Sequence, residues 1–528
     1  MESMRKTRST VRVLAVAVTA IALALFAAMP AFAVTGDQKG SIELGNIEQG
    51  AEINAYQIIG VNWDDDADAP KTPQYSWNPA VASWLEAQTD KGYDAYAEAD
   101  GSVAEAYGKV QSDAAFFSDL AAAIKSGTVQ ISATQTTTAT DGATVLSDLS
   151  MGSHLVLVNN SANYVYQPIV ANLVPQSVNG QWVLNPATVQ IDAKRSEMNI
   201  DKTVEGGSST GAQIGDTVNF AVTASVPHYP ASATAKKFAV SDTFSQGLTL
   251  DEGSIRVFGV KGGAETELAA DTNYALTTQN AHDLSGNEVT FSVDFSAYYD
   301  TVSSYDQVRI KYSAVLNENA VVGGAGNQNN AELEWSNDPF DQNGSIDTDT
   351  PDVTPTVYTY GLRVEKVDKG DHGILLPGAT FTVRSNGKDV SFIAIDEAAG
   401  HYRVAKTGED GVKEVKVGAD GTTKGKLQID GLDEGALTLA ETHAPDGYAL
   451  PHKPFELSIT DADQGKLDGI VAESAQGDGY ADKQVENAKG FQLPVTGDMG
   501  TMAMTAAGVA LVAFAVTMLL RVRRKNRA

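Results

Sequence analysis

The chain has 528 residues, 38 Lys+Arg against 67 Asp+Glu for a formal net charge of −29, and no cysteine. At roughly 150 residues per domain, this length allows three or four domains with sizeable cores. Lack of cysteine excludes disulfide scaffolds, Cys-ligated metal sites and Cys nucleophiles, and the acidity excludes the basic footprint that nucleic acid requires. An apolar fraction of 42% beside 20% charged residues reads as folded chain, and Gly 48 against Pro 17 suits a turn-rich β protein.

Arg5, Lys6, Arg8 and Arg12 precede an apolar stretch over residues 13–28, and Ala31-Phe32-Ala33 supplies an A-x-A cleavage site. Residues 1–33 are therefore expected to be a secretory signal peptide cut after Ala33, because the apolar core is shorter than a membrane span needs. Export without cysteine leaves the bracing of the outer domains to some other device.

Residues 34–186 are read as a first domain. It opens on strand-like Ser41-Ile42-Glu43-Leu44 and Ile53-Asn54-Ala55-Tyr56-Gln57-Ile58 and closes on Leu155-Val156-Leu157-Val158 and Tyr164-Val165-Tyr166. Between them Phe116, Phe117, Leu120 and Ile124 recur at helical spacing, which predicts a helical insertion. Residues 187–352 alternate as strands: Val218, Phe220, Val222 and Ala224 share a face, as do Val289, Phe291, Val293 and Phe295, and Val308, Ile310 and Tyr312. A polar, Pro-punctuated stretch over residues 347–355 marks the next boundary. Residues 353–490 then run in short strands parted by Gly turns. The reading is mostly β, three β-sandwich domains in a row.

Leu493-Pro494-Val495-Thr496-Gly497 stands before an uncharged apolar run over residues 502–520, followed by Arg521, Arg523, Arg524, Lys525 and Arg527. The run is long enough to span a bilayer and the basic cluster stays cytoplasmic. This composite over residues 491–528 resembles the LPXTG sorting signal of Gram-positive surface proteins. The resemblance implies that a sortase cysteine attacks the Thr496 carbonyl, expels Gly497 onward and passes the acyl group to an amine.

Several patterns carry no chemistry. Gly207-Ser208-Ser209-Thr210-Gly211 matches the hydrolase elbow as a string but lies in a polar run that reads as a loop. Asp64, Asp66 and Asp68 open like an EF-hand, yet Ala69 and Tyr75 occupy the required Gly and Glu positions. The seven histidines form no H-x-x-x-H pair, so no metal and no cofactor is expected.

Two lysines instead fall on apolar faces. Lys202 shares one with Met198 and Ile200, and Lys366 shares one with Leu362 and Val364. A buried lysine is costly unless paired or neutral, and the alternative is a snorkelling edge-strand lysine.

Asn199-Ile200-Asp201-Lys202-Thr203-Val204, Ile214-Gly215-Asp216-Thr217-Val218 and Val240-Ser241-Asp242-Thr243-Phe244 resemble the middle domain of SpaA-type Gram-positive backbone pilins. The run from Gly326-Asn327-Gln328-Asn329-Asn330 to Trp335 is similar to that domain's last strand. Lys366-Val367-Asp368, Leu376-Pro377-Gly378-Ala379-Thr380-Phe381 and Leu439-Ala440-Glu441-Thr442 resemble the family's C-terminal domain, and Val485-Glu486-Asn487 leads into the sorting signal as it does there.

The resemblance implies immunoglobulin-like, Cna-type sandwiches and intramolecular isopeptide bonds. Lys202 would join Asn329 assisted by Asp242, with Asn330 a rival to Asn329, and Lys366 would join Asn487 assisted by Glu441. Burial would leave each amine neutral and each carboxyl protonated, able to polarise the Asn carbonyl and shuttle a proton as ammonia leaves. The first domain shows no comparable lysine and is expected to lack a bond. The family's pilin motif, Trp followed by Val-x-Val-Tyr-Pro-Lys, is matched by Trp182, Val189-Gln190-Ile191 and Lys194, with Asp192-Ala193 standing for Tyr-Pro. Lys194 would then receive the Thr496 acyl group of the next subunit.

The function so implied is the shaft subunit of a covalently polymerised surface pilus, not an enzyme. Its expected partners are pilin-class and housekeeping sortases, other copies of itself and peptidoglycan. Minor pilins and host surface ligands join them by family analogy alone. A wall-anchored monomeric adhesin or a minor pilin is the alternative, and a surface hydrolase has no supporting constellation.

Overall fold

The computed structural model describes residues 36–109, 111, 113–463, 466–490, 508–509 and 511–518. The expected signal peptide, the motif at 493–497 and the basic tail lie outside the described residues. So does much of the apolar run at 502–520, whose described part is helical; among the described residues no helix is long and apolar enough to cross a membrane.

The chain up to Val357 forms one compact unit, apart from residues 211–215 and 322–324, which group with the chain from Tyr358 in a second. Within the first unit, β1 (Lys39–Gly45), β2 (Glu52–Asp64) and β3 (Ala69–Trp77) precede two helices, α1 (Pro79–Glu86) and α2 (Ala114–Lys125). Asn78 and Asp113 cap them, each side chain accepting a backbone N–H two residues on. Then come β4 (Thr144–Ser150), β5 (Gly152–Asn159), β6 (Tyr164–Tyr166) and β7 (Ile169–Leu173).

The order β3-β2-β5-β7 makes one sheet of this N-terminal sandwich. Its inner face contributes Ile53, Ala55 and Val156 to a core with Ile42 and Leu44 of β1. Its outer face contributes Leu155 and Leu157 to a second core with Phe116, Leu120 and Ile124 of α2. Strand β5 is thus covered on both sides, which is why it reads as an unbroken apolar run. The predicted insertion is a third layer on this sheet.

The sandwich continues past the expected boundary at 186. Strand β8 (Thr188–Asp192) pairs in parallel with β1, Ser41 opposite Thr188, and β9 (Arg195–Glu197) pairs with β6. The reason is packing: Val189 and Ile191 lie against the core of the first sandwich.

The middle sandwich begins with β10 (Ile200–Val204) and β11 (Thr217–Ser225), followed by β12 (Phe238–Phe244), β13 (Phe291–Asp294), β14 (Gln307–Leu316) and β15 (Asn327–Ser336). One sheet runs β10-β11-β14 and the facing sheet carries β15-β12-β13. The stretch read as a loop at 207–211 includes a short strand, Ser209–Gly211, and the next long element is a strand. No helix follows, so the elbow geometry is missing.

In the second unit, β16 (Tyr360–Asp368) pairs antiparallel with β18 (Lys426–Leu432) and in parallel with β20 (Tyr480–Asn487). The facing sheet contains β17 (Thr380–Ser385) beside β19 (Gly435–His443). Gly361 permits the parallel approach, since a Cβ there would run into the Tyr480 ring.

Candidate functional sites

Lys202 and Lys366 are the buried lysines among the described residues, 3% and 0% exposed. Alternation along β10 turns Ile200, Lys202 and Val204 inward, and β16 does the same for Leu362, Val364 and Lys366. Neither snorkels.

In the middle sandwich the Lys202 Nζ lies 2.5 Å from Asn329 Oδ1 and 2.8 Å from Asp242 Oδ2. Lys202 comes from one sheet, Asp242 and Asn329 from the other, so the contact crosses the sandwich. Pairing of Phe244 with Asn329 sends the Asn329 side chain inward, where it is fully buried, and leaves Asn330 exposed. Of the two rival asparagines the amine therefore meets Asn329. Phe220 and Tyr312 place ring faces 5.7 and 5.8 Å from the amine.

This dry setting disfavours charge. Burial pushes the Lys202 amine down to about 8 against the opposing pull of Asp242, and burial pushes the Asp242 carboxyl up despite Lys202 beside it. The neutral, nucleophilic amine is therefore far more accessible here than at an exposed lysine. The pair can thus present a nucleophile and an acid together.

In the C-terminal sandwich Lys366 Nζ donates to Asn487 Oδ1 and, at 3.1 Å, to the Val485 carbonyl. Glu441 of the facing sheet lies 3.4 Å from the amine, and its Oε1 accepts from Asn487 Nδ2 at 2.7 Å. Burial lowers the Lys366 amine and raises the Glu441 carboxyl. Here the lysine and asparagine stand on neighbouring parallel strands.

One residue of the middle site escaped the sequence reading. Tyr312 of β14 donates its hydroxyl to Asp242 Oδ2 at 2.5 Å and accepts from Asn329 Nδ2 at 3.0 Å. Its inward alternation with Val308 and Ile310 was the available signal, but that pattern could not name its polar partners.

Lys194 is exposed between β8 and β9. Its backbone is pinned: its carbonyl accepts from Gln167 N–H and Ala193 N–H donates to the Gly45 carbonyl, both at 3.0 Å. Next to it, the Arg195 guanidinium sits 3.6 Å over the Tyr164 ring. Thr496 and the rest of its motif lie outside the described residues. Asp64 Oδ1 caps its own turn by accepting from Asp66 and Ala67 N–H at 3.1 Å, and no metal-binding cluster of three or more such side chains occurs among the described residues.

Comparison with known proteins finds the same modules. Residues 214–339 match the Cna-B-like domain of Gram-positive pilin backbone subunit 2, residues 361–470 the SpaA prealbumin-like fold domain, and residues 485–528 the LPXTG cell wall anchor motif. The trypsin-resistant surface T6 protein of Streptococcus pyogenes is 24% identical over 421 residues, 68% of this chain and 76% of that one. The type 2 fimbrial subunit of Actinomyces naeslundii is 24% identical over 418 residues, 73% of each. Among solved structures, the T6 backbone pilin of S. pyogenes shares the fold at a TM-score of 0.58 and 20% identity, covering 86% of this chain and 99% of that one. The major pilin SpaD of Corynebacterium diphtheriae does so at 0.52 and 18%, covering 87% and 99%.

Proposed function

We propose that this chain, a homologue of the Gram-positive backbone pilins that carries their domains and their LPXTG cell-wall anchor, is joined by sortase into the covalent shaft of its pilus. It is a subunit of a cell-wall-anchored surface pilus. Sortase takes the Thr496 acyl group, releases Gly497 onward, and transfers the acyl group to Lys194 of the next subunit. Such head-to-tail contact does not close on itself and so grows a filament. The last subunit passes to peptidoglycan.

The observation that carries this reading is the pair of buried Lys–Asn contacts. In each, a neutral amine attacks the Asn side-chain carbon, the N–C bond forms, and the amide nitrogen leaves as ammonia with a proton supplied by Asp242 or Glu441. The products are Lys202–Asn329 and Lys366–Asn487 isopeptide bonds, made once and not turned over. A pull along the fibre enters a sandwich at its first strand and leaves near its last. A bond between those strands carries the load and shields from it the chain between residues 127 or 121 positions apart. In a chain without cysteine this is the brace that disulfides would otherwise supply.

Boiled, SDS-treated cell-wall extracts test polymerisation. Wild type should give a high-mass ladder that collapses to monomer in Lys194→Ala. A monomer band in wild type would refute the shaft reading in favour of an anchored adhesin. A ladder that survives the substitution would refute Lys194 as the acceptor.

A further inference from the structure

The two lysine sites differ in one respect that bears on how ammonia leaves. At the C-terminal site the carboxyl touches the departing nitrogen directly, through Glu441 Oε1 and Asn487 Nδ2. At the middle site it does not: Asp242 takes its hydrogen bonds from Lys202 and Tyr312 through Oδ2, and Oδ1 takes none. Aspartate is one methylene shorter than glutamate, and the gap between acid and amide nitrogen is filled by the Tyr312 hydroxyl.

We infer that Tyr312 is a catalytic residue of the Lys202–Asn329 bond, relaying the proton from Asp242 to the Asn329 nitrogen that departs as ammonia. The inference rests on the isopeptide reading above. Before attack, Asn329 Nδ2 donates to the Tyr312 oxygen and the Tyr312 hydroxyl donates to Asp242. Attack by the neutral Lys202 amine makes the Asn329 carbon tetrahedral, and Nδ2 loses its amide resonance and becomes basic. The two hydrogen bonds then reverse. The Asp242 carboxyl gives its proton to the Tyr312 oxygen while Tyr312 gives its own to Nδ2. The C–N bond to Nδ2 breaks and ammonia leaves. The Lys202 nitrogen returns a proton to Asp242, so Tyr312 and Asp242 end as they began and the sum is amine plus amide giving amide plus ammonia.

Burial supports this role. It holds the Tyr312 hydroxyl protonated, far above the ordinary tyrosine range, so the phenol acts as a conduit and not as a standing anion. The ring is fixed by stacking on Phe220 at 5.5 Å and by an edge contact with Phe291 at 4.9 Å. Phenylalanine at 312 keeps those ring contacts and removes the hydroxyl with its two hydrogen bonds.

The test is cell-free synthesis of the full-length chain, with aliquots quenched in acid and the ammonia loss read by intact mass and peptide mapping. Wild type should lose two ammonias. In Tyr312→Phe the middle bond should form on the order of 10²-fold more slowly, while the Lys366–Asn487 bond in the same molecules keeps its rate. Adding Asp242→Glu to Tyr312→Phe should restore linking, because the longer carboxyl reaches the amide nitrogen as Glu441 does; a role in packing alone predicts no rescue. Tyr312→Phe linking at the wild-type rate, or a folded double variant that stays unlinked, overturns the relay. If Tyr312→Phe does not fold, 3-fluorotyrosine at 312 keeps the shape with a more acidic phenol, and an unchanged middle rate overturns the relay equally. Wild type losing no ammonia would sink the isopeptide reading itself, a separate result.

Discussion

Replacing Lys366 by methionine isolates what the proposed cross-link would contribute to one sandwich. The side chain is fully buried, and methionine fills a similar volume without an amine to desolvate or leave unpaired. Glu441 remains, but burial already raises its carboxyl toward the neutral form. The change is then mainly loss of the proposed Lys366–Asn487 bond, which joins residues 121 positions apart. Loop-closure entropy for a cross-link of that span comes to about 5 kcal/mol at 25 °C. For a folding unit of this size each kcal/mol moves the midpoint by about 2–4 °C, so the transition of the second unit should fall by about 10–20 °C. Differential scanning calorimetry of the full chain reads this, with intact mass confirming that one ammonia fewer has been lost. A fall under about 3 °C in a variant shown to lack the bond would falsify the claim that restricting the unfolded chain stabilises the sandwich.

Glu334 on β15 gives a pH-dependent prediction. It is fully buried, its Oε1 accepts from Leu284 N–H at 2.6 Å, its Oε2 has no partner, and burial pushes its carboxyl up to about 7. The folded state thus holds this proton to higher pH than the unfolded state, so the middle sandwich is unpenalised below the unfolded carboxyl value, loses stability as pH rises from there to about 7, and levels off above it. The penalty reaches about 3 kcal/mol by pH 7 and changes little above it, and Glu334→Gln should raise the melting midpoint at pH 9 several-fold more than at pH 5. Equal shifts at both pH values would refute the assignment. Phe116→Ala in α2 should cost about 3–5 kcal/mol, since the ring is fully buried among Trp77, Tyr93 and Phe117. Urea titration of the first unit measures it, and a loss under about 1 kcal/mol would mean that the helical layer is not part of the core.

What was legible in the sequence is what strand and helix geometry write locally. Period-two alternation put Lys202 and Lys366 among apolar neighbours, and helical spacing marked Phe116, Leu120 and Ile124, because side-chain direction follows from backbone repeat alone. The unbroken run at Leu155–Val158 also marked a strand, though not the layers that cover both its faces. The structure alone decided the rest. Asn329 was chosen over Asn330 by the register of β15 on β12, a pairing between strands about 85 residues apart, where a slip of one would exchange the two side chains. The first sandwich reaches Glu197 because β8 returns beside β1 from 147 positions away and β9 then pairs with β6. Tyr312 joins Asp242 and Asn329 only because two sheets face each other. Each strand's own pattern says which residues turn inward, while which inward residues meet is settled by packing between segments that share no local repeat.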